Sequence, residues 1–435
     1  MRAGPAVLLL AALALCPRAA GQEGPEPGIL LRGGTLLTMT GDPVPDGGLL
    51  IRGTKIASVG RALPAPEGAA VVDCAGRFVV PGFIDACTNV GLVDIELVKA
   101  ANDADEGVVP STPDVDVRDG INIESPVFGI TRSHGVTTVL VAPGSVNVVG
   151  GLGAVVHCLD GAPLAERTVL APSGLHIAFG EGAKERFGKK DQMPSTRMGV
   201  AAVLRKEFGR ARDYLDKKRR YEEKRTAPRK EGEETPEPPA VDNGLEVLGR
   251  ALSGEIPVHA SAERLDDIRT ALRLAEEFHL RLVLVGAADA WKIARELAER
   301  KVPVIYGPAA LQPETVQTAG ARMDAPRLLR EAGVLFCLAT FDSQNARNLP
   351  YQAGIAASWG LPEADALASI TRDAAKVLGL EGTLGALEAG REATLCVFRG
   401  SPLEPLSRLE RMYIRGKEVP LRSRQTDLYE KWKDR

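Results

Sequence analysis

A chain of 435 residues with 44% hydrophobic content is long enough for one large domain and a smaller partner. Lys and Arg number 54 against 57 Asp and Glu, a formal net charge of -3, so no nucleic-acid or anionic-membrane partner is expected. Only 4% of residues are aromatic, which argues against a base-stacking platform.

The first residues read as an export leader. Arg2 supplies positive charge, Ala6 to Leu15 form an apolar run, and Ala19-Ala20-Gly21 offers small residues for cleavage before Gln22. A leader over residues 1–21 implies an exported chain, periplasmic or extracellular in a bacterial host. The run is too short to cross a bilayer, and no second long apolar stretch follows, so no stable membrane span is expected. Leu15 is bulky for a lipoprotein site at Cys16. Cleavage leaves Cys74, Cys87, Cys158, Cys337 and Cys396 with no Cys-x-x-Cys pair, an odd set with at least one thiol unpaired within the chain.

From Gly28 to Val80 the pattern is short strands, at Ile29–Leu31, Thr35–Leu37, Gly48–Ile51 and Lys55–Val59, broken by Gly, Pro and Asp. Phe78–Ile84 reads as the first strand of a larger unit. Strand runs at Val136–Ala142, Leu175–Phe179, Pro257–Ala260, Arg281–Val285, Val302–Ile305 and Val334–Ala339 then alternate with helical patterns at Leu265–Phe278, Asp289–Arg300 and Ala325–Glu331. Repeated βα units with buried strands argue for a parallel sheet. A charged, Pro-rich insertion near 217–241 reads as a helix end running into a solvated loop. The chain returns to strands at Gly385–Phe398 and a hairpin at Arg411–Val419. The expected fold is α/β: a (β/α)8 TIM-like barrel over residues 81–385, plus a small discontinuous β-sandwich built from residues 22–80 and 386–435. A doubly wound sheet is the alternative.

In such a barrel the chemistry sits at the C-terminal strand ends. That rule selects Asp85 to Asn89, Glu181, His259 and Asp342. His134 and His279 precede strands and read as structural or surface residues, and His157 and His176, inside or beside apolar runs, read as structural.

The segment Val80-Pro81-Gly82-Phe83-Ile84-Asp85 resembles the Pro-Gly-(Leu/Phe)-Ile-Asp-x-His-x-His signature of the amidohydrolase superfamily, with Cys87 and Asn89 where the two histidines would stand. Gly135–Val139, Leu361–Leu367, Ile370–Ala375 and Gly385–Val397 extend the resemblance along the chain. Pro194–Val200 and Asn348–Gly354 resemble exported relatives of imidazolonepropionase.

The resemblance implies hydrolysis of non-peptide C–N bonds of cyclic-amide type in a small-molecule substrate. It also implies zinc or another divalent metal. His259 matches the family's strand-five histidine. Asp342 matches the strand-eight aspartate, which also shuttles protons, and Glu181 matches the bridging acid. The strand-six position falls near Gly286, which has no side chain. Cys87, His259, Asp342 and Glu181 are therefore the ligand set for one metal, with Asn89 in the pocket, and a two-metal site has too few donors. Cys87 is also a candidate nucleophile with His259 as its base, although a buried structural cysteine is the favoured reading. Two functional readings stay open. One is a one-metal hydrolase. The other is a metal-free barrel that binds a ligand or serves in an assembly, including a homo-oligomer. The sequence favours the metal-free arrangement.

Overall fold

A computed structural model describes residues 28–94, 98–228, 236–310, 312–313 and 315–435. The expected leader and residues 229–235 of the insertion lie outside the described residues.

Eight strands form a barrel-like sheet in chain order: Phe83–Thr88, Val136–Val141, Val149–His157, Thr168–Ala178, Val258–Ser261, Leu282–Gly286, Val304–Tyr306 and Phe336–Leu338. Their side chains are almost all buried, which explains the apolar runs in the sequence. One feature departs from a regular (β/α)8 repeat. The third strand runs antiparallel to the second and fourth, whereas the other neighbouring pairs are parallel. The reason is connection length: residues 142–148 are too few for a helical crossover, so the chain can only double back.

The first and eighth strands are joined by three hydrogen bonds. The Phe341 N–H donates to the Cys87 carbonyl at 3.0 Å. The Thr340 N–H donates to Asp85 Oδ1 at 3.1 Å, and its hydroxyl donates to Oδ2 at 2.6 Å. Asp85 is fully buried, and loss of solvation pushes its carboxyl up to about 7.

The expected first strand, Phe78–Ile84, is two strands. Phe78–Pro81 belongs to a second sheet and Phe83–Thr88 opens the barrel. Gly82 makes the transfer, because a Cβ there would lie 2.2 Å from Thr137 Oγ1. In the second sheet Phe78–Pro81 pairs in parallel with Ile29–Leu36 and antiparallel with Leu395–Arg399. The two ends of the chain thus share one hydrogen-bonded sheet. Its core contains Leu31, Leu49 and Val79 from one end and Leu395, Val397 and Tyr413 from the other. Each fully buried aliphatic side chain there contributes about 1.5–3 kcal/mol.

The insertion begins inside a long helix, Arg197–Thr226, started by the Thr196 hydroxyl, which accepts the Gly199 N–H at 3.0 Å. Val200, Leu204, Phe208, Ala211 and Tyr214 form its buried stripe, and beyond Tyr214 no residue of the helix is buried. The helix Leu265–Phe278 has the bounds expected from its periodicity, and His279 caps it in the left-handed region. Cys74, Cys87, Cys158, Cys337 and Cys396 are all buried free thiols. Among the described residues no helix is long and apolar enough to cross a membrane.

Candidate functional site

A cavity of about 160 Å3 opens at the C-terminal ends of the barrel strands, with Cys87, Asn89, Asn147, His176, His259 and Phe341 in its wall. The parallel register sets His259 of the fifth strand beside His176 of the fourth. Their rings meet edge to face with centroids 4.8 Å apart. Burial pushes His259 down to about 4, and burial followed by the neighbouring His259 lowers His176 well below the usual range. Both rings are therefore neutral at pH 7. Both ring nitrogens of His259 and Nε2 of His176 are buried without a hydrogen-bond partner among the described residues. Reading the sequence placed His176 in the structural class. The available signal was a polar residue inside the apolar end of its strand.

Cys87 and Asn89 also reach the cavity. Burial raises the Cys87 thiol above its ordinary range, with the negative fields of Asp85 and Glu263 adding to the shift. A neutral thiol is a poor nucleophile and a poor ligand. Asn89 Nδ2 donates to the Ala142 carbonyl at 2.9 Å, which ties the first strand end to the second.

The two carboxylates selected from the sequence lie elsewhere. Asp342 accepts the Asn345 N–H and side-chain N–H with Oδ1 and Oδ2, each at 2.9 Å, and so holds the turn into the 3-10 helix Gln344–Asn348. Phe341 lines the cavity instead, with its backbone in the left-handed region at φ 57°. Glu181 is the first residue of helix Glu181–Gly188 and accepts from Gln317 Nε2 at 3.2 Å. It faces a separate surface depression with Arg186 and Lys190. Gly180, at φ 95°, turns the chain outward just before it.

A carboxylate that sequence reasoning missed stands near the mouth. Glu263 follows the fifth strand and accepts the Ala288 N–H at 3.0 Å. Burial pushes its carboxyl up to about 7. It occupies the space above Gly286, where an added Cβ would lie 1.9 Å from Glu263 Oε1. The missing side chain at Gly286 and the presence of Glu263 are thus one packing arrangement. An acidic residue four positions after His259 was the visible clue.

These positions decide how well the site suits a metal. Among the described residues no three His, Cys, Asp or Glu side chains come close enough to hold an ion. The set Cys87, His259, Asp342 and Glu181 does not come together, because both carboxylates are turned to partners outside the cavity. As arranged, the donors do not fit the family's metal centre.

The remaining histidines have partners or fill gaps. His157 lies between Thr138 Oγ1 and Glu392 Oε1, each at 3.1 Å. His134 stacks edge-on against Tyr351.

The family model described as "Amidohydrolase family" matches residues 250–419. The crystal structure of an amidohydrolase from Thermotoga maritima MSB8 is similar over 91% of this chain and 100% of its own, at 36% identity and a TM-score of 0.84. A zinc-bound adenosine deaminase from Xanthomonas campestris shares the fold at a TM-score of 0.53 and 16% identity, over 94% of this chain and 99% of its own. The amidohydrolase tasK of Hapsidospora irregularis is 27% identical over 409 residues, 84% of this chain. The match takes in 41% of that relative's length, so this chain spans less than half of it.

Proposed function

The chain belongs to the amidohydrolase family, and from that premise we propose that its barrel mouth binds a small, uncharged, amide-like molecule without the family's metal centre. One observation carries the reading: the two carboxylates that would complete a metal site face away from the cavity, while two neutral imidazoles stand in its wall, three of their ring nitrogens without a hydrogen-bond partner among the described residues. Neutral imidazoles offer one donor and one acceptor each, which suits the C=O and N–H edge of a cyclic amide. The cavity's size limits the ligand to a small ring or a short chain.

Calorimetric titration with a panel of five- and six-membered cyclic amides tests this. Saturable binding without turnover is expected, weakened about tenfold or more by His259→Gln through loss of buried hydrogen bonds. Absence of binding across the panel would remove the proposal.

A one-metal hydrolase is the second reading. It is favoured by the same three orphan nitrogens, which could ligate an ion if a third donor joined them. The two readings separate on metal content and on turnover.

The proposal extends to features that support it from the sequence. Pro194–Val200 and Asn348–Gly354 support placement in the imidazolonepropionase-like branch. Residues 1–21 are read as an export leader, so N-terminal sequencing of the secreted protein should begin at Gln22. The sheet shared by the two chain ends is read as a β-sandwich, and self-association of the chain is compatible with all of this.

A further inference from the structure

The opposite end of the barrel holds an electrostatic imbalance. The loop between the third and fourth strands lies there, because the third strand runs against its neighbours and His157 pairs with Thr138 near the start of the second. Two arginines are buried beside this loop. Arg132 is 0% exposed and Arg167 is 1% exposed.

Arg132 is fully engaged. Its Nε donates to the Pro420 carbonyl at 3.1 Å, Nη1 donates to the Cys158 carbonyl at 2.9 Å, and Nη2 bonds Asp160. Arg167 is not. Its Nε donates to the Ala162 carbonyl at 2.8 Å, and its guanidinium lies 5.1 Å over the Phe128 ring. Nη1 is buried without a partner among the described residues. Burial lowers the Arg167 pKa, Asp160 opposes that shift, and Arg132 reinforces it. Two buried cations therefore share one carboxylate, and Asp160 is itself 54% exposed and bonded to the other arginine. An uncompensated buried charge costs several kcal/mol, so a stable fold calls for a counter-charge.

Arg167 lines a cleft of about 900 Å3 whose wall also carries Arg422 and Arg424 and the carboxylates of Glu124, Asp160 and Asp427. Arg422 is paired with Asp427. Arg424 is exposed at the rim and makes no ion pair among the described residues, as does Glu124 across the cleft. The Ser423 end of the C-terminal helix carries its own capping box, which satisfies the Ser423 and Thr426 N–H groups.

We propose that this cleft is an anion site, taking the carboxylate or phosphate group of a small molecule on the guanidinium of Arg167 with Arg424 at the rim. The planar fork of a guanidinium matches both oxyanions. The cleft has room for an anion carried on a larger molecule.

Calorimetric titration of the whole chain at low ionic strength, with inorganic phosphate and separately with succinate, is the test. Saturable binding of one equivalent is expected, and the tighter of the two identifies the group recognised. Arg167→Lys should reduce the affinity about 10- to 100-fold, the range for a lost charge-assisted hydrogen bond. Should that variant fail to fold, Arg424→Glu carries the test. It lies on the exposed rim, should weaken binding about tenfold or more, and should leave the melting temperature unchanged. No saturable binding of either anion by the folded chain, or binding that Arg424→Glu leaves unchanged, overturns the proposal.

Discussion

Asp85 and Cys87 lie two residues apart on one strand, yet they do opposite jobs. Asp85 points into a closed hydrogen-bonded seam, where Thr340 meets both of its oxygens and fastens the eighth strand to the first. Cys87 lines the cavity at the strand ends, whose wall also holds the neutral imidazole pair. On the function proposed above, the residues that hold the barrel together are separable from those at its mouth, even within six residues of sequence.

The most disruptive way to break that comparison is Asp85→Ala. It leaves the Thr340 N–H and hydroxyl unmatched in a dry seam and should cost about 3 kcal/mol or more, measured by urea denaturation. A value near that of Cys87→Ala would mean that the seam does not depend on Asp85. Next comes Gly286→Ala. It places a Cβ against the Glu263 carboxylate at a φ of 79° and should cost about 1–3 kcal/mol. Adding Glu263→Ala should recover part of that loss, and a purely additive double variant would contradict the shared packing.

A smaller effect separates the seam from the mouth by pH. Asp85 has a folded pKa of about 7 against an ordinary 3.8, so the folded state holds the extra proton between those values. Its contribution is complete below about pH 4 and is lost as pH rises towards 7. The stability deficit of Asp85→Asn should therefore shrink as pH rises through that window. His259 has the opposite sign, with a folded value of about 4 against an ordinary 6.5. Its contribution is complete above about pH 6.5 and is lost as pH falls towards 4, so the deficit of His259→Gln should shrink in that direction. Deficits that run the same way would refute the distinction. The smallest effect belongs to Cys87→Ala, at about 1 kcal/mol or less, with the native thiol resisting alkylation at pH 8 until the chain unfolds.

Much of the fold was legible in the sequence because it is written in local patterns. The apolar runs gave most barrel strands, and the i, i+4 spacing of the Leu265–Phe278 helix gave its bounds. The Pro81-Gly82 pair marked the boundary between sheets, although the strand it interrupts looked continuous. The antiparallel third strand was not legible, since its orientation follows from loop length rather than residue type. The site was harder. His259 was found because it ends a strand, and Cys87 and Asn89 because they follow a motif. Asp342 and Glu181 were chosen by position along the chain, and the direction of a side chain depends on partners such as Asn345 and Gln317 that no motif names. His176 and Glu263 become visible only when neighbouring strands set them beside His259 and Gly286.

The most direct test is the metal content of the whole chain after growth with added zinc and removal of loosely held ions. The arrangement at the mouth predicts no stoichiometric metal, together with cyclic-amide binding that survives chelation. One tightly held zinc per chain, released by His176→Gln or His259→Gln, would contradict it and establish a one-metal hydrolase site in its place.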